Sequence, residues 1–420
     1  MNKFPLVTSR YSLIQTLYWT SCCMMISFAA VYLLSRHYSN SEIGIILAAV
    51  NIAAFFLQPV MATFIDRTSR ISLKNFLCVL CSGILVLSFL ILFLGDIKYA
   101  AIILMVMAFG ILISIQPLIT AICFVYEKAN IKINYGIARG IGSGAYAITS
   151  IVLGNIIDRL GAGLLPVYYI VVLILLFLVL FTFRPRKTEA EQSQSAKCLA
   201  STKAEPLSLK DRTVRELLSA PAFFKKYKTF SIFIAGSSLV FFSHYLINTF
   251  MIQIMYGIGG GTAQMGTAVF IAAIMEIPIM FIFGGLKQKV SCGTLLKITA
   301  IVFIIKHLLT FLSVSVSMFY VTQLLQIGSY GLYIPASVYY VNQIMEQKDF
   351  VKGQAMVTGA IILGSILAGL IGGILLDRFN AQNMLFVGLI VSTAGSILML
   401  FTIKTAKKRA MDMNQEEYTI

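Results

Sequence analysis

Ionisable side chains interrupt long apolar stretches of this chain at Arg139, His244, Glu276, Lys306 and His307. Glu276 is the most isolated, alone in AVFIAAIMEIPIMFIF. A carboxylate in surroundings of low dielectric can take up and release a proton near neutral pH. Lys306 is the basic residue available to pair with it, so the two form the candidate proton-coupling set; read structurally, the same pair would simply dock one helix on the next. On a helix Lys306 and His307 point about 100° apart, so only one of them faces Glu276 while the other snorkels or meets a neighbouring helix.

Neutral polar residues extend the set. His244 and Asn248 are one helical turn apart and share a face, suited to a bound solute or to a hydrogen bond between helices. Gln323 and Gln326 are i, i+3 neighbours, and Ser329 continues their face with Tyr330, Tyr333, Tyr339 and Tyr340 close by. Hydrogen-bonding solutes suit such a stripe, although aromatics near span ends also mark the membrane interface. Asn51, Gln58 and Gln116 are further polar residues within apolar runs. Arg139 stands near the start of its run, where it can reach a cavity or anchor a helix end.

The elements that must carry these residues follow from composition. The 420 residues are 58% hydrophobic and only 12% charged, about half the charge of soluble domains. A membrane-spanning helix needs about 20 apolar residues. The apolar runs give twelve spans, roughly 11–35, 42–64, 74–95, 99–125, 138–157, 163–183, 228–256, 263–285, 293–312, 316–344, 353–376 and 382–403. The first is too long for a signal peptide and lacks a small-residue cleavage site, so it reads as a retained span.

The 33 Lys and Arg are concentrated in alternate gaps, in the stretch Arg184–Lys228 and in both tails, leaving only Arg36, Lys98, Arg159 and Arg378 in the intervening loops. Cytoplasmic loops are enriched in these residues, which predicts a multi-pass cell-membrane protein with both termini cytoplasmic. The net charge of +16 is then explained by topology and anionic lipid rather than by nucleic acid. The seven Cys fall in spans or on the reducing side, so disulfides are not expected, and Cys78-x-x-Cys81 reads as small helix-facing residues.

One polar tract, 185–227, divides the chain into an expected six-helix half at 1–184 and another at 228–409, followed by a tail at 410–420. The tract reads as a cytoplasmic linker, in which Leu207–Leu218 suits a short amphipathic helix on the membrane surface. The halves share a pattern: Gly154-x-x-x-Asp158-Arg159 closes the fifth span and Gly373-x-x-x-Asp377-Arg378 the eleventh, with Gly136-x-Ala138 and Gly353-x-Ala355 upstream. Matching positions indicate parallel repeats of six spans, an arrangement found among transporters. Small residues also crowd these two spans, which allows close helix approach.

HExxH, GxxxxGK[ST], GxSxG and metal-spaced His/Cys clusters are all absent from the sequence, so neither an enzyme, a metal site nor a cofactor is expected.

Over nearly its whole length the chain resembles the major facilitator superfamily, and within it the lactose permease-like oligosaccharide/proton symporters. The resemblance is carried by Ser41-Glu42-Ile43-Gly44-Ile45-Ile46-Leu47-Ala48-Ala49, by Gln58-Pro59 and Asp66-Arg67, and by Glu127-Lys128 with Gly136-Ile137-Ala138-Arg139-Gly140-Ile141-Gly142. It implies a conformational loop motif at Asp66, Arg67 and Arg70, and it places the family's sugar-binding Arg on Arg139. The sugar-stacking aromatic falls on Tyr146, where the family more often has Trp. The span-8 acid falls on Glu276, and the span-9 base falls near Lys306. The chain departs from the family in two places. The span-4 acid has no match, since Cys123 stands near its position with Glu127 a turn away. The span-10 Lys, His and Glu are replaced by Gln323, Gln326 and Ser329.

Together these readings predict an all-α integral membrane protein of twelve helices in two six-helix bundles. Its expected activity is proton-coupled uptake of a small polar solute, such as a sugar or nucleoside, by alternating access. Arg139, Tyr146, His244, Asn248, Gln323 and Gln326 would contact solute, and a single chain would suffice. A drug/proton exporter of the same fold is the alternative, and a non-transporting membrane sensor a third reading.

Overall fold

Long apolar runs become helices because a helix satisfies its own backbone amides and carbonyls, which hydrocarbon cannot do. The computed structural model describes residues 6–68, 71–128, 133–183 and 223–403, and every long regular element among them is an α-helix. In chain order these are α1 (Leu6–Cys22), α2 (Ala29–Ser35), α3 (Asn40–Arg67), α4 (Leu73–Leu94), α5 (Lys98–Ser114), α6 (Gln116–Lys128), α7 (Tyr135–Leu160) and α8 (Leu165–Thr182). Beyond the linker come α9 (Lys228–Thr249), α10 (Met251–Gly257), α11 (Thr262–Lys289), α12 (Cys292–Phe311), α13 (Val316–Leu324), α14 (Tyr330–Ile344), α15 (Phe350–Arg378) and α16 (Ala381–Thr402).

Among the described residues, ten helices are long and apolar enough to cross a membrane, and eleven if the bent pair at the start of the chain is one span. Their exposed side chains are apolar too, Phe93, Phe281 and Phe401 among them, as lipid contact requires. The expected tenth span is where the count falls short of twelve. Residues 316–344 form α13 and α14, separated by turns at 325–329. Gly328 lies within that break, Gly331 directly after it, and Pro335 further inside α14. Most of the linker, including Leu207–Leu218, lies outside the described residues, as do the tail beyond 403 and Arg70. Asp66 and Arg67 close α3, but their side chains lie outside the described set.

Two compact units emerge. The first comprises Met1–Ile26, Ile52–Tyr146 and Leu165–Lys228. Within it α4 packs on α5 and α8, and α1 packs on α8. The second comprises Ser27–Asn51, Ala147–Leu164 and Thr229–Ile420. There α12 packs on α14 and α16, and α11 on α13 and α14.

Side-chain caps define several helix starts. Ser72, Ser291, Ser315 and Asn380 each accept the amide of the residue three positions on. The start of α3 is capped from two directions. Ser39 Oγ accepts the Glu42 amide at 3.2 Å, and Glu42 Oε2 accepts the Ser39 amide at 3.0 Å, a reciprocal box. The next two amides are taken by Asp377: its Oδ1 accepts from Asn40 N at 3.0 Å, and its Oδ2 from Ser41 N at 2.8 Å. A carboxylate there also complements the positive end of the helix dipole. Asp377→Ala should therefore lower stability by about 1 kcal/mol, read as a fall in melting temperature. Asp377→Asn keeps one acceptor and should fall less.

The repeated Gly-x-x-x-Asp-Arg pattern acquires a structural meaning in the second unit. Each copy closes a helix that lies against the start of another: α15 against α3, and the end of α7 against α11. A Cβ on Gly373 would run into Asn40 O, and one turn earlier a Cβ on Gly369 would stand 2.6 Å from Gly44 O; one on Gly154 would stand 2.8 Å from Thr262 O. Ser150 Oγ donates to Gly266 O at 3.1 Å in the second seam. Both seams are backbone against backbone, which only the absence of a side chain allows.

Candidate functional site

Two polar clusters lie among the apolar helices, one in each unit. In the second unit, Lys306 projects from α12 and is 2% exposed. Its Nζ donates to Gln326 Oε1. Gln326 in turn donates from Nε2 to Glu276 Oε1 on α11 at 2.8 Å. The orientation of that amide is dictated by chemistry: an ammonium only donates and a carboxylate only accepts, so Gln326 must turn its oxygen to one and its nitrogen to the other. Glu276 and Lys306 are therefore joined through Gln326, a bridge that the expected ion pair did not include.

The helix break explains how Gln326 gets there. In an unbroken α-helix Gln323, Gln326 and Ser329 would form one stripe. Instead the chain turns after Leu324, and the stripe does not form. Gln323 is buried at the end of α13, its Nε2 donating to Thr322 Oγ1 at 3.1 Å, while Ser329 Oγ returns to Leu325 O at 2.8 Å. Gln326 O accepts the Gly331 amide at 2.9 Å. A Cβ on Gly331 would lie 3.1 Å from that oxygen and 3.5 Å from Glu276 Cα, so glycine brings the start of α14 close to α11 beside the acid. Irregular backbone at membrane depth is tolerated where protein buries it or a cavity lies beside it.

An aromatic wall stands nearby. His244 on α9 stacks on Tyr330 with centroids 5.2 Å apart and planes 12° apart. Its Nε2 lies 2.9 Å from Asn248 Nδ2, so the expected shared face is present. Phe241 packs on Tyr333 at 4.8 Å and on Phe303 at 5.9 Å. His307 turns away from Lys306 as its helical position demands: its Nδ1 shares a hydrogen bond of 2.6 Å with Ser392 Oγ on α16. Its Nε2 is buried and has no hydrogen-bond partner among the described residues.

In the first unit, Arg139 and Tyr146 converge on a residue that the sequence reading missed, Trp19. The Arg139 guanidinium lies 4.0 Å from the centroid of the Trp19 ring, and its Nη1 donates to Ser143 Oγ at 2.5 Å. Tyr146 meets Trp19 edge to face at 6.2 Å. On α1, Trp19 Nε1 donates to Gln15 Oε1 at 3.1 Å, Gln15 Nε2 donates to Tyr11 OH at 2.8 Å, and Tyr11 OH donates to Ile119 O at 3.1 Å. Tyr11, Gln15 and Trp19 recur every four residues and so line one helix face. A search that starts from charges passes over that ladder, but the spacing was legible. Cys123, near the position of the family's span-4 acid, is buried with Sγ 3.6 Å from Ile133 O. The side chains of Glu127 and Lys128 lie outside the described set.

An intramembrane Lys joined to a carboxylate through an amide, and an Arg laid on an indole, are groups suited to holding a polar solute or ion. The comparisons place the chain among transporters. A transporter of uncharacterised function from Bacillus subtilis, YwbF, is 24% identical over 378 residues, covering 89% of this chain and 88% of its own. A putative sugar efflux transporter from Deinococcus radiodurans is 24% identical over 148 residues, 35% of this chain and 38% of that one. Two crystal structures of the nucleoside transporter NupG, one a point mutant, superpose with TM-scores of 0.78 and 0.79 at 14% and 13% identity, covering 97% and 95% of this chain and 100% of theirs. The model of the MFS_1 like family matches residues 9–387, and the chain is thus a member of that family, a multi-pass membrane transporter of the major facilitator fold.

Proposed function

We propose that the protein is a proton-coupled secondary transporter of a small polar solute carrying a sugar ring, a sugar or nucleoside, working by alternating access between halves 1–184 and 228–409. The observation that carries this reading is the Lys306–Gln326–Glu276 bridge. A buried amine linked by one amide to a carboxylate is costly in lipid, and intramembrane charges of this kind mark ion paths. In this reading Glu276 binds the transported proton beside Lys306. Arg139, Tyr146, His244, Asn248, Gln323 and Gln326 bind solute, and the loop motif of Asp66, Arg67 and Arg70 serves the conformational change. The direction is uptake, with both termini cytoplasmic. Export is the second reading, favoured by the match to a sugar efflux transporter over part of the chain.

The test is a panel of labelled sugars and nucleosides offered to proteoliposomes under an imposed pH gradient. At least one should accumulate when the gradient is inward, and a protonophore should abolish the accumulation. A solute that equilibrates at the same rate and to the same level with or without the gradient removes the coupling. In parallel, a true solute should raise the melting temperature of the purified protein, since a specific binder stabilises the folded state.

A further inference from the structure

We infer that the end of α11, together with Tyr339 of α14, binds an anionic phospholipid, with its phosphate on Lys287 and its acyl chains along Met280 and Phe281. The site lies apart from both polar clusters, and the inference goes beyond the transport reading. The loop after α11 carries Lys287 and Lys289 and is one of those that the charge pattern assigns to the cytoplasm. Lys287 is half-buried because it lies over a neighbour: its Nζ stands 3.7 Å from the centroid of the Tyr339 ring. Phe283, one turn earlier on α11, packs on the same ring at 5.6 Å with planes 33° apart. Gln354 Nε2 donates to Val338 O at 2.8 Å, which ties α14 beside Tyr339 to the first turns of α15. The ammonium is thus held in place, yet among the described residues it has the ring and no oxygen acceptor. An aromatic face satisfies a cation only in part, so N–H donors remain for an anion.

The helix surface below the ammonium is ordered as a lipid is. Met280, Gly284 and Lys287 follow one another at helical spacing on one face. Met280 is 48% exposed and Phe281 beside it 77%, both apolar. Gly284 and Gly285 then leave bare backbone, since a Cβ on either would meet nothing within 4 Å. An apolar step, a gap without side chains and a cation beside a phenol therefore succeed one another toward the helix end. Acyl chain, glycerol ester and phosphate come in the same order from hydrocarbon to water. An anionic headgroup brings Lys287 the opposite charge that the protein does not supply. A zwitterionic headgroup brings its own cation, which competes for the phosphate.

The full chain in detergent is titrated with short-chain phosphatidylglycerol, short-chain phosphatidylcholine and inorganic phosphate, and melting temperature is followed. Phosphatidylglycerol should raise it saturably, and the other two should raise it far less. Lys287→Gln should weaken the apparent affinity for phosphatidylglycerol about fivefold, the loss of one interfacial charge, and Lys287→Arg should restore it. Gly284→Leu, which fills the gap and leaves every charge in place, should weaken it too. Lys225→Gln removes an exposed cation from another segment and should change nothing, which separates this site from the general pull of a basic surface. Equal affinity in wild type and Lys287→Gln, or equal losses in Lys287→Gln and Lys225→Gln, overturns the assignment. A response to phosphatidylcholine as strong as that to phosphatidylglycerol overturns the anionic selectivity. A matching response to inorganic phosphate overturns the lipid. None of these results bears on proton coupling, so the transport reading stands or falls separately.

Discussion

Glu276→Gln is expected to reduce uphill accumulation to simple equilibration while leaving counterflow of the solute intact. With one proton moved per solute, a pH difference of one unit supports about tenfold accumulation. The variant should reach a ratio of about one under the same gradient. Glutamine preserves the shape of the side chain and an oxygen for Gln326 Nε2, so the bridge to Lys306 keeps its geometry. What it lacks is a group that titrates. Counterflow needs only binding and reorientation, without net proton movement, so the two assays separate coupling from folding. Full accumulation by Glu276→Gln would show that the transported proton binds elsewhere. The local charge makes this more than a deletion: with a neutral amide at 276, Lys306 keeps its acceptor but loses the opposite charge across the bridge. A lower melting temperature alongside retained counterflow is the expected signature.

The sequence made the spans legible because the requirement is coarse: about 20 apolar residues cross the hydrocarbon and little else does. It also made the repeat legible. The paired Gly-x-x-x-Asp-Arg sequences fall on two seams where glycine backbones meet. Local breaks were harder to read. Residues 316–344 carry no charge and read as one uninterrupted span, and the turn at 325–329 is set by Gly328, Gly331 and the fit of α14 against Glu276, which a window average smooths away. The site was legible in part for a similar reason. Searching for charge in lipid finds Arg139, Glu276 and Lys306, because charge there is expensive. It does not find Trp19 or Gln15, whose cost is small and whose role comes from facing Arg139 across two helices. The bridge role of Gln326 was hidden for yet another reason, since its placement depends on the helix ending two residues earlier.

Gly369→Leu should be among the most damaging single substitutions in α15, and Gly359→Leu on the same helix among the mildest. The helix is apolar around both sites, so the change in helix propensity is alike. The environments differ. A Cβ at 369 would lie 2.6 Å from Gly44 O, backbone that cannot rotate away, whereas a Cβ at 359 meets nothing within 4 Å. Overpacking of this kind costs typically 1–3 kcal/mol, and a full leucine against a carbonyl belongs at the upper end, about 3 kcal/mol. To make room, α15 must move from α3, and the movement also draws Asp377 from the amides of Asn40 and Ser41. The stability loss should therefore exceed that of Asp377→Ala, and the two substitutions should not add, since the first already opens what the second removes. At 359, by contrast, replacing glycine within a helix should be neutral or gain about 0.5 kcal/mol. Melting temperatures of five proteins (wild type, the two glycine variants, Asp377→Ala and the Gly369→Leu, Asp377→Ala double variant) decide the matter. Equal behaviour of the two glycine variants would mean that α3 and α15 do not approach backbone to backbone. Transport adds a second reading: if this seam closes and parts in each cycle, Gly369→Leu should lose accumulation even where enough folded protein remains to bind solute.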